Sequence, residues 1–350
     1  MLAAVAKQQG WQPIVIDLHH DVDTQAHAVK SWQASSLAMP VLQALVEQCC
    51  ADYAVQYVLY GSGLEQHPDS LAYLAARFTL LGNAPATSAR VLDKAHFFAQ
   101  LQQLAIPYPA TQFTPPAPTQ GWLRKAQRSQ GGVGIQHATP QSDSQNEYYW
   151  QRWQAGASGS VLFLADGCNA RVLGFNRQWC SAECAETPFL FAGISNHNAL
   201  PAQLQQQLQH WTGQLTRAFA LQGLNSLDFI YTDAQCWLLE INARPPASMQ
   251  LYPPSLFTWH IQACAGQLTS DQLPAYPFMA YQICYAPAHL QIPVGFDWPP
   301  ACVDLPQNAA IINAGQPICS MIASADNPAT LKQRVQSIQQ TLFKKLFTGT

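Results

Sequence analysis

Leu227-Asp228-Phe229-Ile230 and, twelve residues past Asp228, Glu240-Ile241-Asn242-Ala243-Arg244-Pro245-Pro246-Ala247-Ser248 read together as a β-hairpin ending in an oxygen-rich cluster. The predicted arms are Ser226 to Tyr231 and Cys236 to Ile241, joined by the polar turn Thr232-Asp233-Ala234-Gln235. Side chains on a strand alternate between its faces. Trp237, Leu239 and Ile241 are therefore expected on one face of the second arm, and Leu238, Glu240 and Asn242 on the other. With an odd number of loop residues, Asp228 lies directly opposite Glu240. Two carboxylates and an amide oxygen then converge, and they repel one another unless a cation neutralises them. All-oxygen donors suit Mg²⁺ or Mn²⁺ shared with substrate phosphates. On spacing alone, the alternative is an ordinary hairpin with one acidic residue in water. Arg244 and Ser248 add a guanidinium and a hydroxyl just past the cluster, and Pro245-Pro246 holds that segment extended.

A second signal lies upstream. Trp122-Leu123-Arg124-Lys125 reads as a strand, followed by Ser129-Gln130-Gly131-Gly132-Val133-Gly134-Ile135. A loop so rich in glycine, after a basic strand, can cradle phosphates. Without a Cβ, its backbone N–H groups can close over an anion. It is not a P-loop, because no Gly-Lys-Ser/Thr opens a helix; the competing reading is a flexible hairpin tip. Helical signal runs from about Val91 to Leu104, with Lys94 after Asp93 and Ile106-Pro107-Tyr108-Pro109 as its stop. Taken alone, Lys94 is a surface lysine.

Asp228 with Glu240-Ile241-Asn242-Ala243-Arg244-Pro245 resembles the metal-binding end of the ATP-grasp superfamily, whose enzymes join a carboxylate to a nucleophile, usually an amine, through an acyl phosphate. The fold this implies is α/β (α+β). It has a Rossmann-like N-terminal lobe over 1–90, a nucleotide- and metal-binding domain over 91–265 and a C-terminal β-rich lobe over 266–350. By the same resemblance Lys94 and Lys125 reach the nucleotide phosphates, and Gly131, Gly132 and Gly134 form a lid. Gln151 would face the adenine amine, with backbone atoms near Trp153 and Gln154 reading the ring edge and Ser158 near the ribose. Many relatives carry acidic residues where Gln151 and Ser158 stand, which puts strong nucleotide affinity in doubt. Asp228, Glu240 and Asn242 would hold Mg²⁺ (or Mn²⁺). Arg244 and Lys125 would act on the transferred phosphoryl, and Arg171, Arg244 and Ser248 would face the substrate. ATP and small carboxylate and amine substrates are the implied partners, with a homodimer left open. The Ile16 to Thr24 phrase, the Arg90 to Lys94 segment and the C-terminal lobe look most like the ATP-grasp proteins of one-carbon coenzyme pathways. The tyramine–glutamate ligase of methanofuran biosynthesis is the nearest example, which would mean joining glutamate to tyramine or tyrosine. A bicarbonate-using ATP-grasp carboxylase and a non-catalytic nucleotide-binding regulator are the alternatives.

Composition sets the outer limits. The chain has 350 residues, enough for two or three packed lobes. Charged residues are 11%, against a usual value of about 25%. The net charge of −3 argues against nucleic acid or an anionic membrane as main partner. No apolar run approaches the ~20 residues of a membrane span, and no secretory pattern opens the chain. Ten cysteines include Cys49-Cys50 and the pair Cys180 and Cys184, with no Cys-x-x-Cys; reduced thiols in a cytoplasmic protein are expected. Ile14 to Leu18 and Tyr57 to Tyr60 read as short strands. Their following loops, His19 to Thr24 and Gly61-Ser62-Gly63, are candidates for substrate contact. His19 and His20 read as solvated. Gln203 to Leu221 is helical with Leu204, Leu208, Trp211, Leu215 and Phe219 on one face. Ala280 to Tyr285 and Ile318 to Ile322 alternate like strands before a helix over Leu331 to Leu346.

Overall fold

Residues 1–140, 147–181 and 187–348 are described by a computed structural model; Cys184 lies outside them. The N-terminal lobe runs α1 (Leu2–Gln8), β1 (Ile14–Asp17), α2 (Val22–His27), β2 (Lys30–Gln33), α3 (Val41–Asp52), β3 (Tyr57–Leu59), α4 (Pro68–Arg77) and β4 (Thr79–Leu81). β1 pairs with β2 and β3 with β4, both in parallel. Leu42 and Val46 of α3 and Leu71 and Leu74 of α4 bury their apolar faces around Tyr60 and Leu64. α2 begins inside the stretch expected to be a polar loop. β2 and β4 carry no signal of their own, since strands this short leave no period to detect.

The single helix expected from Val91 to Leu104 is two. α5 (Pro85–Leu92) ends and α6 (Lys94–Gln103) begins at Asp93, whose carboxylate accepts the His96 N–H at 3.0 Å. That N-cap restarts the helix and puts Lys94 at its first position. Phe97, Phe98 and Leu101 of α6 face the main core.

β5 (Thr111–Gln112), β6 (Trp122–Ala126), β7 (Gln136–His137) and β8 (Tyr148–Arg152) form a small antiparallel sheet in the order β5-β8-β6-β7. The rest of the chain builds the main sheet. Its elements are β9 (Ala157–Asp166), β10 (Ala170–Cys180), β11 (Phe191–Ser195), α7 (Ala202–Phe219), β12 (Gln222–Tyr231), β13 (Cys236–Asn242), α8 (Ser255–Cys264), β14 (Phe278–Tyr285), β15 (Leu290–Gln291), β16 (Cys302–Val303), β17 (Ile311–Ile312), β18 (Pro317–Ala325) and α9 (Pro328–Thr348). Eight of these strands form one antiparallel sheet, β13-β12-β9-β10-β11-β14-β18-β16. The sheet thus continues through residue 266. The C-terminal lobe expected to stand as its own unit supplies three of the strands, while keeping a core of its own around Leu290, Ile318, Leu331 and Leu342.

β9 explains its own sequence. Val161, Phe163 and Ala165 pack against the α7 stripe of Leu204, Leu208, Trp211, Leu215 and Phe219. Leu162 and Leu164 pack on the opposite side with Leu256, Phe257 and Trp259 of α8. A strand covered on both faces reads as a continuous apolar run. α8 covers only part of its face. The remainder, along Ser158, Ser160, Ser226 and Asp228, lies open as a cleft. Among the described residues, no helix is long and apolar enough to cross a membrane.

Candidate active site

The cleft has a volume of about 500 Å³ and lies between the main sheet, the small sheet and the glycine loop. Its base is the β12–β13 hairpin. The turn Thr232 to Gln235 has an even number of residues, yet Asp228 does face Glu240. A β-bulge at Leu239 accounts for this: Phe229 pairs with Leu238, whereas Asp228 pairs with Glu240. The extra residue switches the alternation. Cys236, Leu238 and Ile241 therefore share the core side, and Leu239, Glu240 and Asn242 line the cleft. The expected grouping of Leu238 with Glu240 is corrected accordingly.

Asp228 accepts hydrogen bonds from Asn242 Nδ2 at 3.0 Å and Gln178 Nε2 at 3.2 Å. Burial, and then the nearby Glu240 carboxylate, push its pKa up to about 7. Lys94, itself buried, holds its Nζ 3.6 Å from Glu240 Oε2. Lys125 donates to Gln151 Oε1 at 2.7 Å, and burial lowers its pKa to about 8. Arg244 donates through Nε to Glu65 Oε1 at 2.6 Å and through Nη2 to Asn242 Oδ1 at 3.2 Å.

Among the described residues, no group of three or more His, Cys, Asp and Glu side chains forms a metal cluster. The donors at the hairpin are two carboxylates and one amide. That hard-oxygen set fits Mg²⁺ or Mn²⁺ when phosphates complete the coordination. Asp228, whose ionised form is disfavoured by burial and by Glu240, is the kind of buried carboxylate that a cation would hold ionised. Asn242 could join through Oδ1, which accepts one hydrogen bond from Arg244 and keeps a second lone pair.

The glycine loop is docked onto the cleft. The Phe191 N–H donates to the Gly131 carbonyl at 2.8 Å. Gly132 has φ +80°, and a Cβ there would collide with the Phe189 carbonyl. Gln130 ties the loop to the N-terminal lobe: it accepts from Ser62 Oγ at 2.7 Å and donates to Glu65 Oε1 at 2.8 Å. Gly131 and Gly132 line the cleft, but Gly134 does not.

The expected adenine contacts are arranged differently. The Gln151 oxygen accepts from Lys125, and its Nε2 donates to Thr111 Oγ1 at 3.1 Å. The Trp153 N–H donates to the Gly121 carbonyl at 2.9 Å, so it is already committed to the small sheet. Trp153, Gln154 and Ser158 do line the cleft. Arg171 does not reach it. Its guanidinium donates to the Thr269 carbonyl at 2.6 Å and to the Asp271 carbonyl, and stacks over Trp259. Arg171 sits opposite Leu164 toward the far end of β9, which separates it from Ser158. Ser248 is 1% exposed, lines the cleft, and its Oγ has no hydrogen-bond partner.

Five residues in or beside the cleft received no role from the sequence reading. Glu65 lies just past Gly61-Ser62-Gly63, and Gln130 stands inside the glycine-loop stretch itself. Gln178 faces Asp228 from β10, one side of a strand with no distinctive pattern. Tyr281 and Asp304 come from a part of the chain where no motif stands out.

Residues 91–248 match the family model described as ATP-grasp domain. No curated protein sequence matches the chain. Among solved structures, biotin carboxylase from Campylobacter jejuni superposes with TM-score 0.73 at 14% identity, over 96% of this chain and 87% of that one. The biotin carboxylase domain dimer of Hydrogenobacter thermophilus 2-oxoglutarate carboxylase, solved with MgADP and bicarbonate, gives 0.73 at 13%, over 97% and 86%. N5-carboxyaminoimidazole ribonucleotide synthetase from Thermus thermophilus gives 0.71 at 12%, over 99% and 95%. The fold is an ATP-grasp fold, and the matched segment from Val91 to Ser248 contains Lys94, Lys125, the glycine loop, Asp228 and Glu240. At these identities the structural likeness extends to the fold alone.

Proposed function

We propose that the protein is an ADP-forming ligase that joins a carboxylate to an amine through an acyl phosphate. One observation carries this reading. Asp228, Glu240 and Asn242 share a cleft with Lys94, Lys125 and a glycine loop, within an ATP-grasp fold. The substrate carboxylate would attack the γ-phosphorus of ATP, releasing ADP, and an amine would then displace phosphate from the acyl phosphate. A divalent cation held by the hairpin oxygens would neutralise charge on the β- and γ-phosphates. Lys94 and Lys125 add positive charge on the same side of the cleft. For Lys125, an anionic phosphate would offset the burial that now favours its neutral form. The loop from Gln130 to Gly134 excludes water from a hydrolysable intermediate. Arg244, once it exchanges Glu65 for an anion, offers a planar fork to the transferred phosphoryl.

The finer reading is that the pair joined is glutamate with tyramine or tyrosine, in the making of a methanofuran-like coenzyme. Its support is the resemblance of the Ile16 to Thr24 phrase, the Arg90 to Lys94 segment and the C-terminal lobe, together with the aromatic side chains of Trp179, Phe191 and Tyr281 in the cleft lining. A bicarbonate-using carboxylase is the second reading, favoured by the fold's likeness to biotin carboxylase. ADP release should be measured against pools of amino acids and amines, with and without bicarbonate, and with mass spectrometry of any amide. Amine-dependent ADP release with an amide product supports the ligase. Release that needs bicarbonate and yields no amide supports the carboxylase.

A further inference from the structure

Glu65 lies where three parts of the chain meet. It sits in the short helical turn Leu64–Gln66, just past Gly61-Ser62-Gly63, and Leu64 beside it is buried in the N-terminal lobe. Its own loop aims its carboxylate: the N–H of Gly63, a residue at φ +108°, donates to Oε2 at 2.8 Å. Oε1 is turned toward partners outside the lobe and takes two of them. Arg244 Nε from the hairpin donates to it at 2.6 Å, and Gln130 Nε2 from the glycine loop at 2.8 Å. Ser62 holds the Gln130 amide in this orientation, because its Oγ donates to the amide oxygen at 2.7 Å. Arg244 continues the chain through Nη2 to Asn242 Oδ1, and Asn242 Nδ2 reaches Asp228. One carboxylate oxygen therefore joins the glycine loop to the polar end of the hairpin.

Two features set this contact apart from an ordinary structural ion pair. Arginine and carboxylate commonly meet fork to fork, through two parallel hydrogen bonds. Here a single oxygen serves Arg244 at the side of its fork, although the two side chains are only 11 and 12% exposed. The second feature is position. Gln130 and Arg244 line the cleft, whereas Glu65 stands behind its wall, in a small cavity shared with Lys94, Gln130, Glu240 and Asn242. Glu65 is thus outside the ligand space and holds two side chains that face it. The Tyr60 hydroxyl bonds the Ala243 carbonyl at 3.3 Å, which fixes the N-terminal lobe to the backbone beside Arg244. The movable partners are the loop and the guanidinium. An acceptor oxygen shared by two donors holds each of them less strongly than it would hold one alone. Docking the loop through Gln130 therefore loosens the hold on Arg244, and capture of Arg244 by an anion leaves Oε1 to Gln130.

We propose that Glu65 is a positioning residue that couples docking of the glycine loop to capture of an anion by Arg244. This rests on the ligase reading, in which the loop closes over a nucleotide and Arg244 receives the transferred phosphoryl. Glu65 competes with that anion for Arg244, and the docked loop weakens the competitor. Coupling between two sites is reciprocal, so an anion on Arg244 strengthens the hold of Glu65 on Gln130. The loop closes most firmly when nucleotide and anion are both in place, which is when a hydrolysable intermediate needs shelter from water.

The test uses the full chain, with ADP and Mg²⁺ in the nucleotide site and inorganic phosphate as the anion. Calorimetry reads phosphate affinity, and hydrogen exchange followed by mass spectrometry reads protection of the loop over residues 127–135. Glu65→Gln keeps the size of the side chain and removes the competing charge, so phosphate should bind about fivefold tighter than in the wild type. Gln130→Ala leaves Oε1 wholly to Arg244, so phosphate should bind about fivefold weaker. A contact that only held the fold together would move both variants in the same direction. In the wild type, phosphate added to ADP with Mg²⁺ should slow loop exchange further. In Glu65→Gln that added protection should vanish, while protection by ADP with Mg²⁺ alone remains. Weaker phosphate binding in folded Glu65→Gln, unchanged or tighter binding in Gln130→Ala, no effect of phosphate on the wild-type loop, or added protection that survives Glu65→Gln would each overturn the coupling. Circular dichroism checks the fold; if Glu65→Gln does not fold, the phosphate affinity of Gln130→Ala decides alone. None of these readouts needs turnover. Opposite shifts in the two variants without any substrate-dependent ADP release would remove the ligase reading and leave the coupling. ADP release with both variants shifted alike would remove the coupling and leave the ligase.

Discussion

The hairpin end of the cleft and its far end are built on opposite principles. At the hairpin every ionised side chain has a counterpart: Lys94 meets Glu240, Lys125 meets Gln151, Asp228 is held by Asn242 and Gln178, and Arg244 is held by Glu65 and Asn242. These bonds hold charged groups in place ahead of the ligand, the arrangement that phosphoryl transfer rewards. At the far end carboxylates crowd together: after burial, the charges of Asp304 and Asp17 raise Asp21 to about 6. One end gathers the paired charges of the hairpin, whereas the other sets Tyr281 and Asp304 in the cleft wall. Changes at the hairpin should therefore cost turnover whatever the substrate, and changes at the far end should alter which substrate is used.

The largest effect is expected from Glu240→Ala. It removes a cation ligand and leaves the buried Lys94 without its ion pair. ATP turnover should fall by on the order of a thousandfold or more, as befits loss of the charge neutralisation on which transfer depends. The folded signal by circular dichroism should persist, because Glu240 faces the cleft and not the core. Near-normal turnover in the folded variant would break the contrast at its stronger end.

Gly132→Val comes next. Its side chain would strike the Phe189 carbonyl, in a backbone conformation unfavourable to a β-branched residue. The loop should lose its docked position. Turnover should drop roughly a hundredfold, while the melting temperature moves by only a few degrees, because the loop contributes little to the core. Limited proteolysis gives the companion measurement. Wild-type loop should be protected by ATP with Mg²⁺, and the variant loop should not be.

A smaller effect concerns pH. Asp228 has a folded pKa raised to about 7 from its ordinary value of 3.8. The folded state therefore holds a proton that the unfolded state has already lost. Stability from this group is full below the unfolded value and is lost as pH rises through about 7. Asp21, raised to about 6, acts in the same direction. His260, which burial holds down at about 4, acts in the opposite direction below pH 6.5, so the test is the difference between wild type and Asp228→Asn without a divalent cation. The melting temperature of the wild type should fall relative to that of Asp228→Asn as pH rises from 5 to 7.5, and Mg²⁺ with ATP should oppose that fall in the wild type. Parallel pH profiles for the two proteins would count against the carboxylate cluster.

The smallest effect should follow from Arg171→Ala. The side chain braces the 269–271 segment and the Trp259 face, so the variant should lose about 1 kcal/mol of stability. KM for either substrate should stay within about twofold, a change too small to signal a lost substrate contact. A large rise in KM would bring Arg171 back toward the substrate.

What could be read ahead of the structure follows the same division. Asp228, Glu240, Asn242 and Arg244 lie within seventeen residues of chain. Strand periodicity is enough to bring such neighbours together. The bulge at Leu239 could not be seen, since nothing in Leu238-Leu239-Glu240 marks which residue is extra. The even turn and the bulge compensate, so the pairing came out as expected for a different reason. The break at Asp93 was hidden because an aspartate can sit inside a helix as well as cap one. Tyr281 and Asp304 reach the cleft only through strand order, which carries β14 and β16 across a sheet begun more than a hundred residues earlier. No local pattern encodes that. Arg171 shows the opposite difficulty, an arginine on the correct sheet but near the wrong end of its strand.

The central claim is that the hairpin end promotes γ-phosphoryl transfer to a carboxylate. Once a substrate that drives ATP turnover is found, it should be prepared with both carboxylate oxygens as ¹⁸O, and the products followed by mass spectrometry. One label should appear in the released inorganic phosphate, with ADP as the nucleotide product. Unlabelled phosphate, or AMP with pyrophosphate, would contradict it.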